Sequence, residues 1–126
     1  MLILLLILQD NPAAKAAPRD EKWLKRHEEF LAVAKKGGVE LLFLGDSITD
    51  GWRYGGRKTW EKEFGAWKPA NFVIGGDSTH HVLWRVRNGE LEGIRPRGIV
   101  LMIGTNNIGR HTADQIAEGV GAIVAE

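Results

Sequence analysis

The sequence contains no cysteine. That excludes disulfide bridges, a thiol nucleophile and any cysteine-ligated metal. It also lacks an excess of either charge: 17 Lys and Arg stand against 16 Asp and Glu, a formal net charge of +1. With no basic tract, nothing in it points to nucleic acid. Only four histidines occur, and none is spaced with a second His and a carboxylate as a metal site requires. His80 and His81 are adjacent and would diverge on a helix, so a zinc site is not expected, nor is any cofactor. Long apolar runs are missing as well. The one continuous aliphatic stretch, Leu2 to Leu8, is too short to span a membrane.

What is present, in 126 residues, is the material of one globular domain. Residues 1–19 read as a leader and linker. Leu2 to Leu8, followed by the polar, Ala- and Pro-rich Gln9 to Arg19, resembles the tail of a secretion signal without its basic n-region. A disordered leader or a misplaced start is the alternative. Export to a periplasm and retention in the cytoplasm stand level on this reading.

From residue 20 onward, helical and strand patterns alternate. Trp23, Leu24, His27, Phe30, Leu31 and Ala34 recur at helical spacing over Asp20 to Lys36, with Gly37-Gly38 to end the helix. His27 is expected on the helix surface or in packing. Val39 to Leu44 is a first strand. Thr59 is expected to cap a helix carrying Trp60, Phe64 and Trp67, ended by Pro69. Ala70 to Ile74 is a second strand, and Ser78 or Thr79 caps a helix with Val82, Leu83 and Val86 on one face, stopped by Gly89. Glu90 to Arg97 reads as a surface segment. Gly98 to Ile103, β-branched and aliphatic without alternation, suits a parallel strand covered on both faces. Thr112 and Gln115 form a capping box for a last helix with Ile116, Val120 and Ile123 apolar. Such alternation predicts a layered α/β fold with a parallel sheet and right-handed crossovers.

The chemistry sits where the strands stop. The first ends at Gly45-Asp46-Ser47, the second at Gly75-Gly76-Asp77, the third at Gly104-Thr105-Asn106-Asn107. In strand order two, one, three, Ser47 stands between the glycine pair and the asparagine pair, at the carboxyl ends where open α/β sheets bind ligands. Acyl transfer needs a nucleophile and donors aimed at an oxyanion. Glycine lets a backbone N–H come close to a substrate, and an Asn amide supplies a second donor. Singly, each motif is also what a tight turn or a helix cap would use; their joint occurrence at three strand ends favours a site.

These motifs resemble the first three sequence blocks of the GDSL, or SGNH, hydrolases. The stretch Gly75 to Val86, continuing through Asn88-Gly89-Glu90-Leu91, is similar to the catalytic subunits of platelet-activating factor acetylhydrolase and their bacterial relatives. The resemblance covers roughly Glu21 to Ala125. It implies a flavodoxin-like, three-layer α/β/α domain, of which residues 20–126 are the N-terminal part. It implies Ser47 as nucleophile, the N–H groups of Ser47 and Gly76 with the Asn106 side chain as oxyanion hole, and Asp46 and Asn107 in support. Two departures stand out. Val73 occupies a strand position where relatives usually carry Gly. More important, the family's fourth block, an Asp-x-x-His that supplies the base, does not occur before Glu126. The base and its carboxylate, with the family's remaining strands, are expected beyond residue 126. His81 and His111, near strand ends, are the only other candidates.

The resulting expectation is a metal-independent serine esterase acting on a small ester, an acyl (acetyl) group carried by a carbohydrate or lipid. No nucleic-acid partner is expected, and the exposed edge of the third strand offers a homodimer contact. The alternative is a catalytically silent module that binds small acyl or anionic ligands. A nucleotide- or phosphate-binding α/β domain is a third, weaker reading: helices follow the glycine turns, but there is no G-x-G-x-x-G and no P-loop Lys.

Overall fold

The computed structural model describes residues 10–126; the Leu2 to Leu8 run, and the secretion signal read from it, lie outside the described residues. Three strands form one parallel sheet: β1 (Leu41–Gly45), β2 (Pro69–Val73) and β3 (Gly98–Met102), in the order β2-β1-β3. Gly45 stands opposite Val73 on one side and Met102 on the other. The three strands therefore end level, and the three loops that carry the polar motifs leave the sheet along one edge.

Five helices cover the sheet: α1 (Glu21–Lys36), α2 (Ser47–Asp50), α3 (Arg57–Phe64), α4 (Thr79–Arg85) and α5 (Ala113–Val124). Because side chains alternate across a strand, β1 feeds two layers. Leu42 and Leu44 enter a buried cluster with Phe30 and Ala34 of α1, Val82 and Leu83 of α4, and Ile123 of α5. Phe43, on the opposite face, packs on Trp60 and Phe64 of α3 with ring centroids 4.6 and 5.2 Å apart. This is the three-layer, flavodoxin-like arrangement. Asp20 caps α1 by accepting from the Trp23 N–H at 2.9 Å, and Thr112 and Gln115 close the capping box of α5 at 2.9 and 3.2 Å.

Several details differ from the sequence reading. Thr59 caps nothing: α3 begins at Arg57 behind Gly56, and Thr59 lies inside it. That helix ends at Phe64, Trp67 is 54% exposed beyond it, and Pro69 opens β2 rather than ending a helix. The segment after α4 is not all surface, since Glu90 and Ile94 are buried; Glu90 is drawn in by charge, as described below. Of the two places expected for His27, helix surface or packing, the structure shows packing: it is buried, stacks on Trp23 and meets Trp84 edge-on. The outer strand β3 is open to solvent at Ile99, Val100 and Met102, on both of its faces, because it is an edge strand paired only with β1 among the described residues. The described part of the expected leader and linker, residues 10–19, is tied to the domain at several points. Ala13 is fully buried and its carbonyl accepts from Thr79 Oγ1 at 2.6 Å; the Ala17 N–H donates to the His80 carbonyl.

Candidate active site

The Gly45-Asp46-Ser47 turn is built by close approach. A Cβ on Gly45 would lie 2.6 Å from the Met102 carbonyl and 2.7 Å from Thr49 Oγ1, so only glycine lets β1 finish against β3 and start α2 at once. Asp46 caps α2, its Oδ1 accepting from the Ile48 N–H at 2.9 Å. Its Oδ2 is buried without a hydrogen-bond partner among the described residues. Ser47, the first residue of α2, is exposed. Its N–H is one of the donors that a helix start leaves without an intrahelical acceptor.

The β2 turn faces this serine: a Cβ on Gly75 would sit 3.7 Å from Ser47 Cβ. The Asp77 N–H returns to the Ile74 carbonyl at 3.3 Å, with Gly76 at φ 83°. A positive φ at the third position is what a type II turn demands. Arg19 lies over the turn. Its Nη1 donates to the Gly75 carbonyl and to Asp77 Oδ1, both at 2.9 Å.

The β3 loop joins from the other side. Asn106 Nδ2 donates to the Asp77 carbonyl at 2.8 Å, which engages one of its two amide hydrogens and leaves the second. Asn107 is fully buried. Its Oδ1 accepts from the Thr79 N–H at 3.0 Å and its Nδ2 donates to Thr79 Oγ1 at 2.9 Å, fastening the β3 loop to the first residue of α4. Ser47, Gly76 and Asn106 thus come from three neighbouring strand ends, with Asp46 and Asn107 holding two of the loops.

No histidine hydrogen-bonds to Ser47 among the described residues. His81 Nδ1 accepts from the Ser78 N–H at 2.9 Å, which spends that nitrogen on capping α4. Burial, reinforced by His80, Arg19, Arg85 and Arg110, lowers its pKa to about 4. Burial also lowers that of His80. His111 Nδ1 lies 3.1 Å from Asn107 Nδ2.

Beneath the site runs an ionic network absent from the sequence reading. Asp77, fully buried, takes Arg19 and Trp23 Nε1 on Oδ1 and Arg85 Nε on Oδ2. Arg85 Nη1 reaches the Phe72 carbonyl at 3.0 Å and Glu90 Oε2 at 2.5 Å, and Glu90 Oε1 lies 2.7 Å from His27 Nδ1. One signal was available. Arg85 falls between Val82 and Val86 on the apolar side of its helix, and a charge on a buried face requires a buried partner.

The model of the GDSL-like Lipase/Acylhydrolase family matches residues 43–126. Platelet-activating factor acetylhydrolase IB subunit alpha1 of Bos taurus is 44% identical over 120 residues, covering 91% of this chain and 50% of that protein. The Homo sapiens alpha1 subunit is 43% identical over 121 residues, covering 92% and 51%. The alpha2 subunit of Gallus gallus is 42% identical over 112 residues, covering 89% and 48%. The chain spans about half the length of the curated relatives it matches.

Proposed function

The chain belongs to the GDSL-like lipase/acylhydrolase family, and from that premise we propose that it carries the nucleophile and oxyanion donors of a serine ester hydrolase. Ser47 Oγ attacks the ester carbonyl. The N–H groups of Ser47 and Gly76 and the free amide hydrogen of Asn106 hold the oxyanion. Collapse of that intermediate expels the alcohol and leaves an acyl-serine, which water hydrolyses. The reaction also needs a general base to take the Ser47 Oγ proton and pass it to the departing alcohol, and no histidine of the described residues hydrogen-bonds to Ser47. An acetyl ester on a lipid or carbohydrate is the proposed substrate; the relatives' name, acetylhydrolase, supports the acetyl group. The observation that carries the reading is the placement of Ser47 at the end of the central strand, between the glycine turn of β2 and the asparagine loop of β3.

The occupied Nδ1 and low pKa of His81, with His111 held at Asn107, favour a second reading for the isolated chain: a silent module that binds acyl or anionic ligands. Fluorophosphonate labelling and hydrolysis of a short-chain nitrophenyl ester separate the two. On the enzyme reading, both occur in the protein at its full natural length and both vanish in Ser47→Ala. Labelling that survives Ser47→Ala removes Ser47 from the role, and absence of both in the parent favours the silent module. For the 126-residue chain by itself, the exposed Ile99, Val100 and Met102 support a separate proposal, that the open edge of β3 is a contact between two copies.

A further inference from the structure

Arg19 lies outside every motif that suggested the site, in a segment read from sequence as a linker. It nevertheless touches the turn that bears one proposed oxyanion donor. Its Nη1 donates to the Gly75 carbonyl at 2.9 Å, and its guanidinium nitrogens lie 3.2 and 3.3 Å from where a Cβ on Gly76 would stand. The Gly75 carbonyl and the Gly76 N–H belong to one planar trans peptide unit, so they point in opposite directions. Holding the oxygen therefore aims the N–H. In a β-turn this central peptide is the one whose orientation distinguishes type I from type II. Glycine at both central positions gives the backbone little preference between them.

We propose that Arg19 is a positioning residue: by holding the Gly75 carbonyl it keeps the Gly75–Gly76 peptide in one orientation and so aims the Gly76 N–H at the oxyanion. The inference rests on the reading of Gly76 as an oxyanion donor. Three features give Arg19 the rigidity this needs. Asp77 Oδ1 binds the same Nη1 at 2.9 Å. Asp77 is itself locked by Trp23 at 2.7 Å and Arg85 at 3.0 Å. The segment leading to Arg19 is tied down at both ends, Asn11 Nδ2 to the Gln115 carbonyl at 3.0 Å and the Ala17 N–H to the His80 carbonyl at 3.2 Å. A charged donor also polarises the peptide it binds and strengthens the opposite N–H as a donor. The segment before α1 is on this account part of the site.

The test combines two measurements on the full chain and on Arg19→Ala, Arg19→Gln and Arg19→Lys. The first needs no turnover. Backbone amide spectra should show the Gly76 N–H shifted and its order parameter reduced from a rigid value near 0.85 toward 0.6 in Arg19→Ala, with α4 and β1 amides in place. A Gly76 amide that keeps its shift and order in all three variants overturns the inference, whatever the fate of the activity. The second is kinetic, on the parent that hydrolyses ester. Arg19→Ala should lower kcat about 10- to 100-fold, below the full cost of losing one oxyanion donor because the peptide still samples the productive orientation, with KM within about twofold. Millimolar guanidinium should restore part of it, which a purely structural loss would not show. Unchanged kcat in Arg19→Ala with Ser47→Ala inactive overturns the role of Arg19 alone; a fully active Ser47→Ala overturns the function beneath it. Should Arg19→Ala unfold, Arg19→Lys and Arg19→Gln carry the same comparison.

Discussion

Arg85 Nε lies 3.0 Å from Asp77 Oδ2, and neither side chain reaches water. Arg85 stands between two buried carboxylates, since Glu90 Oε2 contacts its Nη1. Removing one partner of such a pair leaves the other charge buried without compensation, at a typical cost of about 3–5 kcal/mol. Arg85→Ala should lose stability on that scale in chemical denaturation, with Glu90→Gln milder because its amide oxygen can still accept from Arg85. A loss in Arg85→Ala no larger than that of an exposed substitution such as Lys62→Ala would mean that the network is solvated.

Gly45 ends β1 opposite Met102 of β3, with no room for a side chain. A methyl group there would lie 2.6 Å from the backbone carbonyl of Met102, and backbone does not yield as a side chain end does. Gly45→Ala is expected to cost about 1–3 kcal/mol, the range for an overpacked core, read as a lowered denaturation midpoint at unchanged slope. A neutral result would show that the strands separate freely at this point.

His81 makes stability depend on pH. Its folded pKa, about 4, lies below the ordinary histidine value of 6.5, so the unfolded chain takes up a proton before the folded one does. Stability attached to neutral His81 is therefore complete above about pH 6.5, declines as the pH falls from there toward about 4, and levels off below. His80, also lowered, acts in the same direction. His81→Gln preserves an acceptor for the Ser78 N–H, as Gln does in a capping box, and removes one of the two titrations. Its thermal midpoint should change less between pH 7 and pH 4.5 than that of the parent. Parallel profiles would assign the pH dependence elsewhere.

The two edges of the sheet are guarded unequally. On β2, Arg53 donates to the Asn71 carbonyl, and a charged side chain on the edge discourages pairing with another chain. On β3, Ile99, Val100 and Met102 are 49%, 44% and 44% exposed, with neither charge nor proline in the strand. Such a segment favours association. Sedimentation of the 126-residue chain at tens of micromolar should show dimers or larger species, and Val100→Lys should shift the distribution toward monomer. A parent that sediments as a stable monomer, with cooperative unfolding, rules out the β3 contact.

How much of this was legible before the fold? Local and periodic features were. The alternation of helix and strand, the aliphatic β1 and β3, the Thr112–Gln115 capping box and the polar ends of all three strands are each written within a few residues, whereas the order two, one, three was taken over from the flavodoxin-like fold rather than read from any local pattern. The candidate site was legible for the same reason: Ser47, Gly76, Asn106 and their neighbours all lie at strand ends, and a parallel sheet brings strand ends together. The roles of Arg19, Trp23 and Glu90 were not legible, because they depend on contacts between residues 54 to 63 positions apart, from Trp23 to Asp77 and from His27 to Glu90. No local pattern encodes such a contact. Thr59 illustrates the reverse error: as a residue type it suits a cap, but packing of Trp60 and Phe64 on Phe43 accompanies a helix that starts three residues earlier, at Arg57. The sequence by itself determined the element types, their order and the polar residues at the strand ends, since these rest on side-chain periodicity and turn chemistry. Only the tertiary structure decided which charges are buried, which histidine nitrogen is occupied and which carbonyl Arg19 holds, since burial and pairing exist only once distant segments are brought into contact.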